Sequence, residues 1–188
     1  MKIHDIQPDE PLNAYVLSVA SLPPIGSVPL LNAVHQIENV WSVIWHRDGQ
    51  FQTQLFIAPP NCIIPEHTHP NVDSYECYVG GQIRFSHSGK WVSPKEMFTS
   101  ADNGGTAVER GELIRVKPND WHGGVFGPGG GVFLSLQHWL NGVKPHCVAA
   151  DYVGAVMGEK HFAQVVYGSP KLQPSLTWVD AAPKEQGF

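Results

Sequence analysis

The sequence is poor in charged residues and has no cluster of basic side chains. Asp, Glu, Lys and Arg make up 15% of its 188 residues, against about 25% in an ordinary globular domain. The 12 Lys and Arg are outnumbered by 17 Asp and Glu, which gives a formal net charge of -5. A basic face that could hold the phosphates of a nucleic acid or an anionic membrane is therefore not expected.

Cysteine is also scarce, and long apolar runs are missing. The three cysteines are Cys62, Cys77 and Cys147, an odd number without a CxxC pair, so neither a disulfide framework nor a cysteine-type zinc site is expected. The N-terminus lacks the apolar run of roughly 7–15 residues behind a basic start that marks a signal peptide. No stretch approaches the roughly 18 apolar residues of a membrane span. These absences predict a cytoplasmic protein that does not associate with membranes.

Glycine, proline and alternating hydrophobic residues are abundant instead. The chain contains 19 Gly and 16 Pro, and 42% of its residues are hydrophobic. Apolar and polar residues alternate on both sides of a turn at Arg47-Asp48-Gly49, which predicts a β-hairpin. Further strands are expected over 62–69 and 75–87 as a second pair joined by a loop at 70–73, over 111–118, and over 130–140. Many short strands separated by turns predict an all-β sandwich or barrel.

The length and the uniform composition predict a single domain over 1–188. We expect an N-terminal arm over 1–39 that packs on the domain and has at most a short strand. The barrel is expected over 40–140, with a long loop or an extra hairpin at 86–106. A C-terminal extension follows over 141–188, and a short helix is an option for 151–167.

Three histidines form the main candidate for a chemical site. His67 and His69 are separated by one residue, and on a strand this spacing places both imidazoles on one face. His122 lies at a second strand end, in the stretch KPNDWHGG. A small closed barrel brings strands this far apart in sequence onto one interior site. Neutral imidazoles are good ligands for first-row divalent metals, so the three histidines predict a metal site.

Around these histidines the sequence resembles the cupin family, and its first motif is similar to that of the germin branch. The stretch HTHPNVDSYECYVGG aligns without gaps with the first cupin motif from His67 to Gly81, and GELIRVKPNDWH supplies Gly111 and His122 of the second. The resemblance covers about residues 40–140. It implies a jelly-roll β-barrel with one divalent metal ion in its mouth, and often a homodimer. Asn119 stands where the second motif has glycine, and asparagine tolerates the left-handed backbone that such a turn needs.

The family's fourth ligand, a glutamate, is replaced by Ser74, which leaves three hypotheses open. In the first, only the three histidines bind the metal, and water and substrate complete its coordination. In the second, Glu76 turns in from the same strand face as Ser74 and becomes the fourth ligand. In the third, Asp73 is the fourth ligand. Iron is favoured as the metal, and zinc, nickel or manganese remain alternatives.

Four residues are candidates for the lining of a pocket beside the metal. They are Ser74, Tyr78, Ser135 and Gln137. Ser135 and Gln137 alternate with His138, so either this pair or His138 points inward.

A three-histidine metal with open coordination positions suits several functions. The first hypothesis is a metal-dependent dioxygenase that acts on a small molecule. The alternatives are a non-catalytic cupin that binds a small molecule or metal, and a sugar isomerase or epimerase. The expected partners are a small-molecule substrate or ligand and a second copy of the chain.

Overall fold

A computed structural model describes residues 1–22, 35–37, 40–97, 105–143 and 148–149. These residues form one helix, α1 (Pro11–Ala20), three short 3-10 turns and ten strands. The 3-10 turns cover Ile3–Asp5, Lys95–Met97 and Leu140–Gly142. The strands are β1 (His35–Ile37), β2 (Val40–Asp48), β3 (Phe51–Ala58), β4 (Ile63–Thr68), β5 (Val72–His87), β6 (Lys90–Pro94), β7 (Thr106–Val108), β8 (Leu113–Val116), β9 (His122–Trp139) and β10 (Val148–Ala149). The predicted all-β class is confirmed.

Two long antiparallel strands, β5 and β9, run through both layers of the barrel. In one layer, the first half of β5 lies between β8 and the second half of β9. On the other side of β9 this layer continues with β3, then β2, then β1. The second half of β5 pairs with the first half of β9 and with β6, while β4 flanks β9 and β10 flanks β4. All of these pairs are antiparallel; β6 and β7 are parallel. The register therefore divides the strands into two layers that share β5 and β9.

Glycines form the bend between the two layers. The β5–β9 register shifts on both sides of Gly81, which has φ +88°, and Gly130 has φ +65°. A Cβ atom on Gly131 would lie 2.4 Å from Ile83 Cγ1, and one on Gly81 would lie 2.5 Å from the Gly130 carbonyl oxygen. The two strands thus cross where neither backbone has room for a side chain, which allows a tight bend.

Two hydrophobic clusters stabilise this arrangement. The inner cluster lies between the layers and includes Ala58, Tyr78, Ile83, Phe85, Val92, Val108, Phe126 and Phe133. The outer cluster lies between α1 and the first layer and includes Leu12, Tyr15, Val16, Val19, Trp45, Tyr75, Leu113 and Leu136.

The N-terminal arm, for which at most a short strand was expected, contains helix α1, which packs on the barrel. Pro11 occupies its first turn, where the missing N–H costs nothing. Leu12, Tyr15, Val16 and Val19 follow at helical spacing and are buried against the barrel. This apolar stripe explains why the segment folds as a helix when the sheet is present. No helix among the described residues is long and apolar enough to cross a membrane.

The hairpin around residue 48 is confirmed, with Gly49 and Gln50 in its turn. For 86–106 the sequence predicted a long loop or an extra hairpin. The end of β5 and β6 form such a hairpin, in which His87 pairs with Lys90. The expected pairing of the strands at 62–69 and 75–87 is wrong, because β4 pairs with β9 and β10 instead. The connecting turn is also shorter, since Val72 and Asp73 belong to β5. The option of a helix at 151–167 lies outside the described residues.

Candidate metal and ligand site

The structure brings His67, His69 and His122 together. Strand β4 carries His67 of the HxH pair, and His67 lies directly opposite His122 of β9. The ring centroids of His67 and His122 are 4.3 Å apart, and those of His67 and His69 are 5.1 Å apart. One ligand nitrogen from each histidine lies within 4.8 Å of the other two. The sheet register therefore achieves the convergence that the histidine spacing predicted.

A tight turn orients His122 toward the HxH pair. Asn119 has φ 70°, as expected for a residue in the position of the motif's glycine. Its N–H donates to the carbonyl oxygen of His69 at 3.1 Å, and the N–H of Asp120 donates to the Lys117 carbonyl at 3.0 Å. The turn is thus tied by its backbone to the segment that carries the other two histidines.

The His122 ring is held as a neutral imidazole. Burial, and after it the nearby His69, lowers its pKa to about 3. Its Nδ1 lies 3.0 Å from the carbonyl oxygen of Asp120, which can only accept a hydrogen bond, so Nδ1 carries the proton. The lone pair of Nε2 is then free to bind a metal, the usual arrangement for a histidine ligand.

The spacing of the three rings fits a single ion. Two nitrogen ligands at about 2.1 Å from one ion are at most about 4.2 Å apart. The histidine nitrogens lie within 4.8 Å of one another, which is close to this limit. The residues present therefore fit a first-row divalent metal.

Glu76 and Asp73 are not part of this histidine group. Glu76 is buried on the same strand face as Ser74, as predicted, and its Oε1 accepts hydrogen bonds from Ser74 Oγ at 3.0 Å and Ser135 Oγ at 2.8 Å. Burial raises the pKa of Glu76 to about 7, although both hydroxyls act in the opposite direction. Among the described residues, the group that could hold an ion contains only the three histidines.

Asp73 takes part in an ion pair instead. Its two carboxylate oxygens accept from Arg115 Nε at 2.7 Å and Nη2 at 2.5 Å. The same guanidinium donates to Glu10 at 2.6 Å, at the start of α1, and to the Tyr75 hydroxyl at 2.9 Å. This pairing gives Asp73 a structural role in fastening α1 to the barrel, and does not support the hypothesis that Asp73 is a ligand.

Side chains on three neighbouring strands form three tiers inside the barrel. Each tier takes one residue from β3, one from β9 and one from β5, at paired positions of the register. The first polar tier is Gln52, Gln137 and Ser74; the second polar tier is Gln54, Ser135 and Glu76; the aromatic tier is Phe56, Phe133 and Tyr78. Three of the predicted pocket residues thus belong to the polar tiers, and Tyr78 belongs to the aromatic tier.

The residues that alternate with the tiers show which face is the inner one. The hydroxyl of Thr53 lies 2.8 Å from that of Tyr15 in α1, and the Tyr75 hydroxyl donates to Asn13 of α1 at 2.9 Å. Since α1 covers this face, the tiers point to the other side, into the barrel. His138 likewise faces outward and stacks on Phe51 at 4.5 Å. The sequence left open whether Ser135 and Gln137 or His138 points into the barrel; in the structure Ser135 and Gln137 do.

Sequence reasoning missed Gln52 and Gln54. Both are fully buried, although glutamine is a mostly exposed residue type. The alternation in QFQTQ gave a hint, because two glutamines two residues apart must share one face of a strand. Only the pairing with β9 and β5 shows that this face is the interior.

Comparisons with known proteins give weak sequence similarity and cupin-like folds. No family model and no curated protein matches the sequence. Similar solved structures include KdgF from Halomonas sp., with 12% identity, coverage of 57% of this chain and 86% of that chain, and a TM-score of 0.46. An RmlC-like cupin from Shewanella frigidimarina NCIMB 400 has 12% identity, coverage of 64% and 92%, and a TM-score of 0.47. A conserved protein with a double-stranded beta-helix domain from Klebsiella pneumoniae has 15% identity, coverage of 69% and 96%, and a TM-score of 0.47.

These TM-scores are below 0.5, so the fold description rests on the strand pairing given above. That pairing and the histidine group describe an all-β barrel of the kind that the cupin resemblance implied. The polar tiers and the histidines are the two parts of its interior that carry chemistry.

Proposed function

We propose that this chain is a metal-dependent enzyme that acts on a small molecule, with His67, His69 and His122 as the protein ligands of one divalent ion. The observation that carries the proposal is the convergence of three imidazole nitrogens within 4.8 Å, without a carboxylate among them. Three neutral ligands leave the full charge of the ion and several coordination positions for substrate.

Within this proposal, iron is the favoured ion and dioxygenation the favoured reaction. Iron(II) would supply dioxygen chemistry, whereas zinc, nickel or manganese would supply Lewis acidity. The chain itself contributes a neutral His122, oriented by the Asp120 carbonyl. Glu76 is left out of the ligand set because it lies outside the histidine group, and its Oε1 accepts hydrogen bonds from Ser74 and Ser135 instead.

Elemental analysis of the purified protein tests the metal site. We expect close to one transition-metal ion per chain in the wild type, and its loss in the double variant His67→Ala/His69→Ala. The control is His138→Ala, which removes an imidazole from the outer face and should keep the metal. Retention of the full metal content by the double variant would contradict the assignment.

Oxygen consumption then distinguishes the reactions. Iron in the protein, together with oxygen uptake on a phenolic, thiol or diketone compound, would support a dioxygenase. Stoichiometric zinc or nickel without oxygen uptake would point to Lewis-acid chemistry. A metal-loaded protein that binds compounds without turnover would support a non-catalytic binding protein.

A second candidate function, an isomerase or epimerase, is favoured by Glu76. A buried carboxyl group whose pKa is raised to about 7 is suited to accept and return a proton at neutral pH. Such a base would take a proton from a carbon next to a carbonyl group and return it to the neighbouring carbon. Deuterium uptake from solvent into a ketose or aldose, lost in Glu76→Gln and unaffected by chelator, would establish this function in place of the first.

We further propose that the protein works in the cytoplasm as a homodimer. Among the described residues, Cys62 and Cys77 form no disulfide, which fits a reducing compartment. Ile63 and Val125 are paired across β4 and β9 and are 63% and 36% exposed, so they offer an apolar surface to a second copy. Light scattering should give the mass of a dimer, and Ile63→Lys should reduce it to that of the 20.6 kDa chain.

A further inference from the structure

The two polar tiers contain hydrogen-bonding groups that the protein does not satisfy. Gln52 and Gln54 are fully buried, and one hydrogen bond of 3.3 Å joins Gln52 Nε2 to Gln54 Oε1. The Gln52 Oε1 and Gln54 Nε2 atoms have no hydrogen-bond partner among the described residues. If both amides are flipped, the bond reverses and one donor and one acceptor are still left over.

Leaving these atoms unpaired is costly. A buried polar atom without a partner lowers stability, because it gives up its hydrogen bonds to water without replacing them. Apolar side chains of the same volume would avoid this cost, as Phe56 does at the next inward position of the same strand. Proteins keep such groups where a ligand completes their hydrogen bonds, which is the usual pattern of polar atoms in small-molecule pockets.

The first polar tier lies at the end of the barrel where the histidines are. An extended strand as long as the 18-residue β9 would span about 60 Å if it were straight. However, His122 at its start pairs with His67, and Leu140 just past its end donates to the carbonyl of Asn71 at 2.9 Å. Asn71 follows His69 by two residues, so the bend at the glycines returns the end of β9 to the HxH segment. Gln137 and Ser74 lie within three residues of that contact.

The charge of the tiers restricts what they can bind. Their six residues include one ionisable group, Glu76, and no cation. Within the tiers themselves an anionic group would find no cation to pair with, which is unfavourable in a buried setting; the guanidinium of Arg47, which is opposite Gln52 in the register, lies over the Trp139 ring instead. A neutral ligand that donates one hydrogen bond and accepts another would satisfy both amide atoms.

We propose that the two polar tiers are the substrate-recognition subsite of the enzyme, and that they select an uncharged group with a hydroxyl beside a second hydroxyl or a carbonyl. This inference rests on the proposed function for its substrate, since it places the recognised group next to the histidine site. A hydrogen-bond chain joins the two polar tiers: Gln137 Nε2 donates to Ser135 Oγ at 3.2 Å, and Ser135 Oγ donates to Glu76 Oε1 at 2.8 Å. The aromatic tier closes the subsite with the stacked rings of Phe56 and Phe133, 4.8 Å apart.

Calorimetry with matched probes tests this subsite. The neutral probes are xylose, dihydroxyacetone and catechol, and the anionic counterparts are xylonate, glycerate and protocatechuate. Each is titrated into the wild type, into the double variant Gln52→Met/Gln54→Met, and into Thr53→Val, a control on the opposite face of the same strand. We expect at least one neutral probe to bind more tightly than its anion, at least tenfold more weakly to the double variant, and equally to the control.

Thermal unfolding without probe separates recognition from a structural role. Replacing both glutamines removes the unsatisfied atoms in near-equal volume, so the double variant should melt at the same or a higher temperature than the wild type. A clearly lower melting temperature would show that the glutamines stabilise the barrel, and would overturn the inference. Failure of every neutral probe to bind, or tighter binding of the anions, would overturn it as well.

Metal content, measured on the same samples, keeps this test separate from that of the proposed function. Loss of probe binding in the double variant with unchanged metal content supports the subsite. A wild type that binds metal but no neutral probe refutes the subsite alone, whereas a wild type that never holds metal refutes the metal site alone.

Discussion

Replacing Glu76 by glutamine should change how the stability of the protein depends on pH. The carboxyl group is buried between two serine hydroxyls, and burial raises its pKa from an ordinary 4.5 to about 7. Below pH 4.5 the folded and unfolded states both keep the proton. Between pH 4.5 and 7 the unfolded chain releases the proton while the folded chain holds it, so stability falls as the pH rises.

The size of this effect follows from the two pKa values. One pKa unit corresponds to about 1.4 kcal/mol, so a rise from 4.5 to about 7 corresponds to about 3 kcal/mol of the free energy of unfolding. This amount is lost by pH 8 and is fully present at pH 4. The glutamine side chain of the Glu76→Gln variant has no proton to release, so the variant should gain about 3 kcal/mol relative to the wild type between these two pH values.

Urea unfolding at five pH values from 4 to 8 measures this difference. The buffers contain a chelator, and tryptophan fluorescence follows the transition. Other titrating groups, including His122, are present in both proteins and cancel in the difference. Glu96→Gln, which removes an exposed carboxylate, serves as the matched control. A difference between Glu76→Gln and the wild type that stays constant across the pH range would refute the reasoning.

The same variant also tests the four-ligand hypothesis. If Glu76 binds the metal or directly supports a ligand, its replacement by glutamine should weaken metal affinity by about 10–100-fold. The structure leads us to expect a smaller change, because the carboxylate is bonded to Ser74 and Ser135 and lies outside the histidine group.

Two further substitutions test the barrel framework. Gly131→Ala should destabilise the fold by about 1–3 kcal/mol, because the new methyl group would lie 2.4 Å from Ile83. Gly124→Ala is the control and should be tolerated, because the nearest atoms to its methyl group would be 3.7 Å away. Equal midpoints of urea unfolding for the two variants would contradict the close crossing of β5 and β9. Arg115→Met should reduce stability by about 1–2 kcal/mol, because its hydrogen bonds to the start of α1 are lost. Lys95→Met, which breaks an exposed ion pair, is the control and should change the urea midpoint little. An unchanged midpoint for Arg115→Met would show that α1 docks through apolar contacts alone.

Helix α1 shows where a local pattern was available but not used. Pro11 and the stripe of Leu12, Tyr15, Val16 and Val19 have the spacing of an amphipathic helix. The many prolines of the first 35 residues favoured an arm with at most a short strand instead. The helix is short, and isolated helices of this length are marginal in water, so its stability depends on the contacts with the barrel.

The sequence by itself determined the all-β class, the hairpin at residue 48 and the histidines that could meet. These features depend on local rules: alternation with period 2, turn residues with positive φ, and the one-residue spacing of His67 and His69. The left-handed Asn119 belongs with them, because its conformation is required by the turn alone.

Only the tertiary structure decided which face of each strand points inward and which strands are neighbours. A shift of one residue in register moves every side chain to the other face, and nothing local in QFQTQ or SLQHW distinguishes the two faces. The pairing of β3 with β9 and β5 places Gln54, Ser135 and Glu76 in one buried tier, and the covering helix turns His138 and Asp73 to the outside. Burial then raises the pKa of Glu76, because the cost of a charge depends on what surrounds it and not on its neighbours in the chain.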